Sequence, residues 1–402
     1  MSDTELTVIP HLGSAEFHRE PGPALGELHS AGCPRLYRHP YGPELVLVGY
    51  DDLQSVLKHP NMQAQNREDR SSGPAVAGKL AALFNAHPVF MDEPRHRPVR
   101  MAATAAVGLA RSDWFAIQID EVATELAAEL RQAGGGDLVR DFAFALSSRI
   151  WCRIVGVPET HAPTVRDCAQ RIAIALEFLP DPDDLALADK AASTIVELLL
   201  EERRGNGSTS TSEELVREQL TKAPDPDGTA EPLQLLASLT FDAVDGAGGM
   251  TGNFLYCLLS HPGALNSARQ SLDDLSPFWT EAARLHPPLL GLFRCATEDT
   301  GFDGFALPAG QNVLTLNAAG NRDPRIFKHP DAYLPGRPAN RPLSFGFGSR
   351  GCIGRHLASM QGNLGVRCLL QETGAMQLRL DEPEWGKPGL LRAVQQLPVE
   401  FG

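Results

Sequence analysis

Residues 345–354 read Phe345-Gly346-Phe347-Gly348-Ser349-Arg350-Gly351-Cys352-Ile353-Gly354, and a helical pattern opens directly afterwards at Arg355-His356-Leu357-Ala358. Three glycines stand before the cysteine and one just after it. Glycine accepts positive φ and lets a backbone approach a flat ligand closely. A cysteine just ahead of a helix feels the positive end of the macrodipole, which favours thiolate over thiol. A thiolate held against a planar surface meets the requirement for axial ligation of a haem iron. The same stretch spells Gly346-x-Gly348-x-x-Gly351, the dinucleotide fingerprint, whose confirming context is a βαβ unit. No succession of strands surrounds it here. An inert buried cysteine in a structural loop is the other bland alternative.

The chain around this loop is acidic. It has 402 residues, with 36 Lys and Arg against 50 Asp and Glu, a formal charge of −14. That balance argues against a nucleic-acid binder, which needs a basic footprint, and against adhesion to an anionic membrane. No run of about 20 apolar residues is present, so no membrane-spanning helix is expected. Met1–Pro10 has no basic stretch followed by an apolar core, and no signal peptide is expected. Seven cysteines, an odd number spread widely, do not make a disulfide framework. The expectation is a cytoplasmic protein in which an important cysteine is a thiol or a metal ligand.

Helical periodicity dominates. Apolar residues recur at three- and four-residue spacing over 115–133, which stops at Gly134-Gly135-Gly136, and over 139–156, 165–178, 185–204, 233–259, 275–285 and 355–371. Residues 205–212 read as a flexible stretch. Strand signals are few: Glu44–Val48, Asn312–Leu316 after a Pro308-Ala309-Gly310 turn, and Met376–Leu380. Without β–α alternation a doubly wound sheet is not expected. The reading is one mainly helical domain over 1–402, its helix-rich core at about 85–375, with small β-sheets near its ends and one near the N-terminus.

The decapeptide resembles the haem-binding loop of the cytochrome P450 superfamily, Phe-x-x-Gly-x-x-x-Cys-x-Gly, which Phe345, Gly348, Cys352 and Gly354 fill without a gap. Other segments agree. Glu281-Ala282-Ala283-Arg284 matches the family's Glu-x-x-Arg, in which side chains at i, i+3 share a helix face. Arg337, in Tyr333-Leu334-Pro335-Gly336-Arg337, matches the third member of that structural network, although Leu334 stands where relatives usually carry aspartate. His96 and Arg100, in Met91-Asp92-Glu93-Pro94-Arg95-His96-Arg97-Pro98-Val99-Arg100, match a His-x-x-x-Arg that binds a haem propionate. Arg294 and Arg350 match further propionate contacts, and Gly346 belongs to the same cofactor loop. The resemblance spans roughly 85–375.

The central helix departs from the family pattern, which usually places an acid and a threonine above the iron. Aligned without gaps from His261-Pro262, the motif falls on Asp242-Ala243-Val244-Asp245-Gly246. Asp245 then takes the acid position and Gly246 the threonine position, so the alcohol is missing. A second register places Ala247-Gly248-Gly249-Met250-Thr251 on the motif and restores a threonine. Gly246, Gly248, Gly249 and Gly252 each cost about 1 kcal/mol relative to Ala inside a helix. A distorted helix, or a break between two helices, is expected there. Asp242 and Asp245 at i, i+3 share a face, and two carboxylates in one dry pocket push one pKa upward.

The resemblance implies a triangular, mainly helical fold, haem b bound through Cys352, and a monooxygenase using O2 and two electrons from ferredoxin and its reductase, acting as a monomer. Asp242, Asp245 and Gly246 would be its catalytic residues. The substrate, a small organic molecule of secondary metabolism, would meet Phe178, Phe241, Asp242, Leu290 and Leu292, with walls from 66–88, 170–190 and 288–293. Arg350, Arg355 and His356, with Arg95 and Arg97, suggest a basic patch for an acidic ferredoxin. Oxidative aryl coupling or ring closure is the alternative reaction. A haem sensor without turnover is the alternative class, and a nucleotide-dependent enzyme a third. Aromatic residues are only 6% of the chain, so no aromatic cage is inferred.

Overall fold

Apolar spacing puts one face of Asp113–Ala133 into the core, where Phe115, Ile119, Val122, Leu126 and Leu130 are buried. The helix ends where Gly134 turns to φ +74, as its triplet of glycines leads one to expect. This computed structural model describes residues 8–9, 12–29, 36–40, 44–64, 76–108, 113–177, 180–206, 210–338, 341–386 and 389–402. Around this helix pack Phe144–Val155, Ala162–Ala173, Pro182–Asn206, the run 232–260 and Val366–Glu372, which share one hydrophobic cluster. No helix among the described residues is long and apolar enough to cross a membrane.

Residues 232–260 behave as the sequence suggests, with a distortion and no break. Pro232–Phe241 and Ala247–Ser260 are α-helical, and Asp242–Gly246 joins them as a π-helical turn. Widening the helix by one residue re-aims the side chains that follow. The Val244 carbonyl accepts the Ser147 hydroxyl at 3.0 Å, so the altered ladder is satisfied from the neighbouring helix. A β-carbon on Gly248 would meet the Phe144 ring at 2.7 Å and Ser147 Oγ at 2.9 Å. Gly248 therefore permits the close approach of the two helices.

The strands are less confined to the chain ends than expected. A five-stranded sheet runs Leu36–Arg38, Leu45–Leu47, Asn312–Thr315, Leu292–Ala296, Met62–Ala64, with only Leu45–Leu47 and Asn312–Thr315 parallel. A three-stranded sheet joins Gly135–Asp137, Pro398–Phe401 and Met376–Leu378. Thr300–Phe302 and Phe305–Leu307 pair as a hairpin. The segment read as flexible is partly ordered: helix Thr211–Lys222 begins there, capped by Ser210, whose hydroxyl accepts the Glu213 N–H at 3.2 Å.

Candidate active site

The loop that decided the sequence reading makes no βαβ turn. A single 3-10 turn, Leu343–Phe345, precedes it. Gly346 and Gly348 then take φ +66 and +71, and a β-carbon on Gly348 would press on the Leu57 carbonyl at 3.1 Å. The Cys352 amide donates to the Phe345 carbonyl at 2.7 Å. Phe345 is clamped between Trp279, stacked at 5.3 Å, and the Arg355 guanidinium, 5.6 Å from the Phe345 ring centroid. Gly362 makes room for Trp279, since a β-carbon there would strike the indole at 2.5 Å.

Cys352 is exposed by surface area, yet it sits deep in the protein, because its accessible surface opens into an internal cavity. That cavity holds about 1800 Å³ of atom-free space, its open mouth included. Burial pushes the Cys352 thiol up to about 11, and the charge of Asp242 adds to this; hydrogen bonds from the backbone of Gly354 and Arg355, with Arg100, pull the other way. The helix start favours the thiolate, as the sequence suggests, but desolvation outweighs it. A coordinating metal ion deprotonates such a thiol outright.

The four basic side chains foreseen for the cofactor line the cavity: His96, Arg100, Arg294 and Arg350. His96 opens helix His96–Val107 and places Nδ1 3.3 Å from Glu93 Oε1. Burial, then the charge of Arg350, holds its pKa below the ordinary value. Arg100, one turn on, donates to the Gly351 carbonyl at 2.5 Å. Arg350 donates to the Met91 carbonyl at 2.6 Å and to Asp92 at 2.8 Å. Arg294 lies on strand Leu292–Ala296 and is only 2% exposed; it donates to the Phe293 carbonyl at 2.8 Å, and its Nε has no partner among the described residues. Burial and the charge of Arg350 lower its pKa to about 10. A buried guanidinium without a carboxylate is costly. Its presence beside three other bases fits an anionic ligand in the cavity. Glycines beside the sulfur, an accessible Cys352 and these bases together suit a planar macrocycle bearing carboxylates.

Phe241, Asp242, Ala243, Asp245, Gly246 and Ala247 line the cavity from the π-turn side. A β-carbon at Gly246 would meet nothing within 4 Å. Thr251 instead is buried and donates to the Ala247 carbonyl at 2.9 Å. Burial, with the charge of Asp242, raises Asp245 to about 7, the split anticipated for two carboxylates on one face. Leu292 also lines the cavity. Leu290 does not: it is buried in the cluster around Leu314 and Leu316, and its neighbour Leu289 faces the cavity instead. Phe178 lies outside the described residues. His87, Phe90, Leu390 and Leu391 line the cavity without having been singled out. The last two are delivered by a long-range clamp: Asn253 donates to the His286 and Arg392 carbonyls at 2.8 and 3.0 Å and accepts the Val394 N–H at 3.0 Å.

Glu281, Arg284 and Arg337 meet. Glu281 accepts Arg284 through two bonds at 2.8 and 2.7 Å, Arg337 Nε at 2.7 Å and the Leu334 N–H at 3.0 Å. The backbone of Leu334 thus joins the network without the side chain relatives usually have there. Arg95, expected in a free basic patch, is paired with Asp225 through bonds at 3.0 and 3.1 Å.

The family model described as Cytochrome P450 matches residues 265–378. The biotin biosynthesis cytochrome P450 of Bacillus subtilis is 26% identical over 98% of this chain and 100% of its own length. The 6-deoxyerythronolide B hydroxylase of Saccharopolyspora erythraea is 26% identical over the same shares. The chain belongs to the cytochrome P450 superfamily. The solved structure of P450BioI, in complex with a fatty-acyl carrier protein, superimposes with a TM-score of 0.86 at 24% identity, covering 96% of this chain and 100% of that one. This P450 has the superfamily's mainly helical fold with small sheets. It is a monooxygenase that binds haem b.

Proposed function

We propose that this P450 oxidises a small, largely apolar molecule of secondary metabolism, taking O2, two electrons and two protons and releasing one oxygen atom as water. The observation that carries the reading is the Cys352 sulfur facing an apolar cavity, with the buried Arg294, whose Nε has no partner among the described residues, on the same cavity. Cys352 would hold the iron, and His96, Arg100, Arg294 and Arg350 would hold the propionates. Haem b bound there supplies redox-active iron, and a thiolate ligand favours O–O cleavage.

The protein's own part is position and protons. Val89, Phe90, Leu176, Leu289, Leu292 and Leu391 line the cavity with apolar surface, which aligns the substrate and limits water. Asp245, held near neutrality by burial, suits a group that keeps and releases a proton at working pH. The open space beside Gly246 supports the register in which no alcohol side chain faces the reaction, and leaves room for an ordered water or a substrate hydroxyl to act instead. The relatives include the Streptomyces venezuelae monooxygenase PikC and the Micromonospora griseorubida mycinamicin IV hydroxylase/epoxidase, which supports a substrate from secondary metabolism.

Electrons would come from an acidic ferredoxin and its reductase. With Arg95 engaged by Asp225, the docking patch rests on Arg97 and His356, both exposed, and on Arg355, half-buried over Phe345. Charge reversal at Arg355 should slow reduction and weaken its salt dependence. The test of the whole reading is the absorbance spectrum of the reduced protein under carbon monoxide. A strongly red-shifted Soret band, lost in Cys352→Ser, is the expected result; a haem-free protein would overturn it.

A further inference from the structure

One wall of the cavity is polar in a way that oxygen chemistry does not require. The Asp242 side chain is 55% exposed, and its carboxylate stands at the start of the π-turn. It receives no hydrogen bond from any described residue. None of the cavity's guanidiniums donates to it: Arg100 donates to Gly351, Arg350 to Asp92 and Arg294 to Phe293. Asp245, three residues on, brings a second carboxyl to the same cavity.

His87 is the second, independent feature. It is 3% exposed and lines the cavity. Its Nδ1 accepts the Val89 N–H at 3.1 Å. A nitrogen that accepts carries no proton, so the neutral ring bears its proton on Nε2. Nε2 lies 3.1 Å from Asp242 Oδ2 but off hydrogen-bond alignment, and it has no hydrogen-bond partner among the described residues. Because the Val89 bond opposes a second ring proton, His87 is not the cation that balances Asp242. Aromatic faces flank the pair: Phe90 and Phe241 lie 5.7 and 5.3 Å from the His87 ring and both line the cavity. Phe84 packs on Phe241 at 5.8 Å and fixes it.

A carboxylate without a countercharge, beside aromatic rings in an otherwise apolar cavity, is complementary to a positively charged nitrogen. We infer that the wall formed by His87, Phe90, Phe241 and Asp242 recognises a cationic nitrogen on the substrate, an amine or quaternary ammonium attached to an apolar body. The inference rests on the reading of this cavity as the substrate site of a haem-thiolate enzyme. Asp242 supplies the charge, and the phenyl rings supply cation–π attraction.

Three probes with one alkyl chain separate charge from greasiness: dodecyltrimethylammonium, dodecanol and dodecanoate, each below its micelle concentration. The quaternary nitrogen cannot ligate iron or donate a hydrogen bond, so it reports charge alone. Binding to the haem-loaded protein is read by calorimetry. The cation should bind about tenfold more tightly than dodecanol, and dodecanoate most weakly. Asp242→Asn should bring the cation to within about twofold of dodecanol, and Asp242→Glu should keep the preference. Equal affinities, no binding of the cation, or a preference that survives Asp242→Asn would overturn the inference. The carbon monoxide spectrum is taken on the same samples. Loss of the thiolate band marks failure of the haem-thiolate reading, whereas loss of cation preference with the band intact defeats this inference alone.

Discussion

Thr251 donates its hydroxyl to the Ala247 carbonyl at 2.9 Å, inside the central helix, while Gly246 and not Thr251 lines the cavity. The glycines of this helix therefore have different reasons to be there. Gly246 has helical φ and ψ of −63 and −46 and empty space where a β-carbon would go. Gly246→Ala should stabilise the protein by about 0.5–1 kcal/mol, by restricting the unfolded chain and improving helix propensity. Gly248→Ala should destabilise it by about 1–3 kcal/mol, since the new carbon must displace Phe144 and Ser147. Urea denaturation of the two variants reads opposite signs. Thr251→Ala should leave peroxide release during turnover unchanged; increased release would favour the register that puts Thr251 at the alcohol position.

Glu281 is a buried carboxylate held by two arginines and a backbone N–H. Breaking a buried pair leaves an uncompensated charge, at a cost of about 3–5 kcal/mol. Glu281→Gln should lower stability by that order at neutral pH. Burial alone would raise the Glu281 pKa, but Arg284 and Arg337 overcome it and hold it below its ordinary value. The stabilisation is therefore present above the unfolded pKa and disappears as pH falls through the lowered folded one. The gap between wild type and variant should close in acid. A gap independent of pH would mean that the two arginines do not hold the charged form.

What was legible in the sequence was whatever depends on local spacing. The periodicity of 115–133 marks a real helix because one face is buried along its whole length. The four glycines from 246 to 252 mark a distortion because each costs propensity that tertiary packing must return. The cavity-lining bases His96, Arg100, Arg294 and Arg350 were visible only through the family pattern, since they come from three separate elements. His87 fell within the expected 66–88 wall, but nothing in the sequence marked its role. Its significance depends on Val89 holding Nδ1 and on Asp242, 155 positions later in the chain, facing Nε2. Leu290 packs into the cluster around Leu314 and Leu316 while Leu289 faces the cavity, a tertiary choice that no spacing marks. Leu390 and Leu391 reach the cavity through the Asn253 clamp, which has no signature in spacing.

Arg294 provides a prediction in which two properties change in opposite directions. It is buried, and its Nε has no partner among the described residues. Replacing an uncompensated buried charge with an apolar side chain of similar length removes a desolvation penalty. Arg294→Met should make the haem-free form more stable and the haem-loaded form quicker to lose haem to a competing apoprotein. Denaturant melts of the first and transfer rates of the second give the two readings. Loss of stability in the haem-free form, with haem transfer unchanged, would assign Arg294 to structure and not to propionate binding.

Asp245 ties stability to pH with the sign reversed from most acidic residues. Its folded pKa is raised from 3.8 to about 7 by burial and by the charge of Asp242. Between those values the folded protein holds a proton that the unfolded chain has released, so stability falls as pH rises through this window. Above about 7 the full penalty of a buried carboxylate is present, up to about 4 kcal/mol. Asp245→Asn cannot ionise. It should match the wild type near pH 4 and become progressively more stable than it towards pH 8, with most of the change complete by about 7. Melting temperatures of both proteins across this range check the slope. The same variant should lose the proton that Asp245 holds near the reaction, so its turnover should drop at every pH while its thermal stability improves. A variant that gains stability without losing turnover would leave Asp245 as a strained carboxylate and move proton delivery to water in the space beside Gly246.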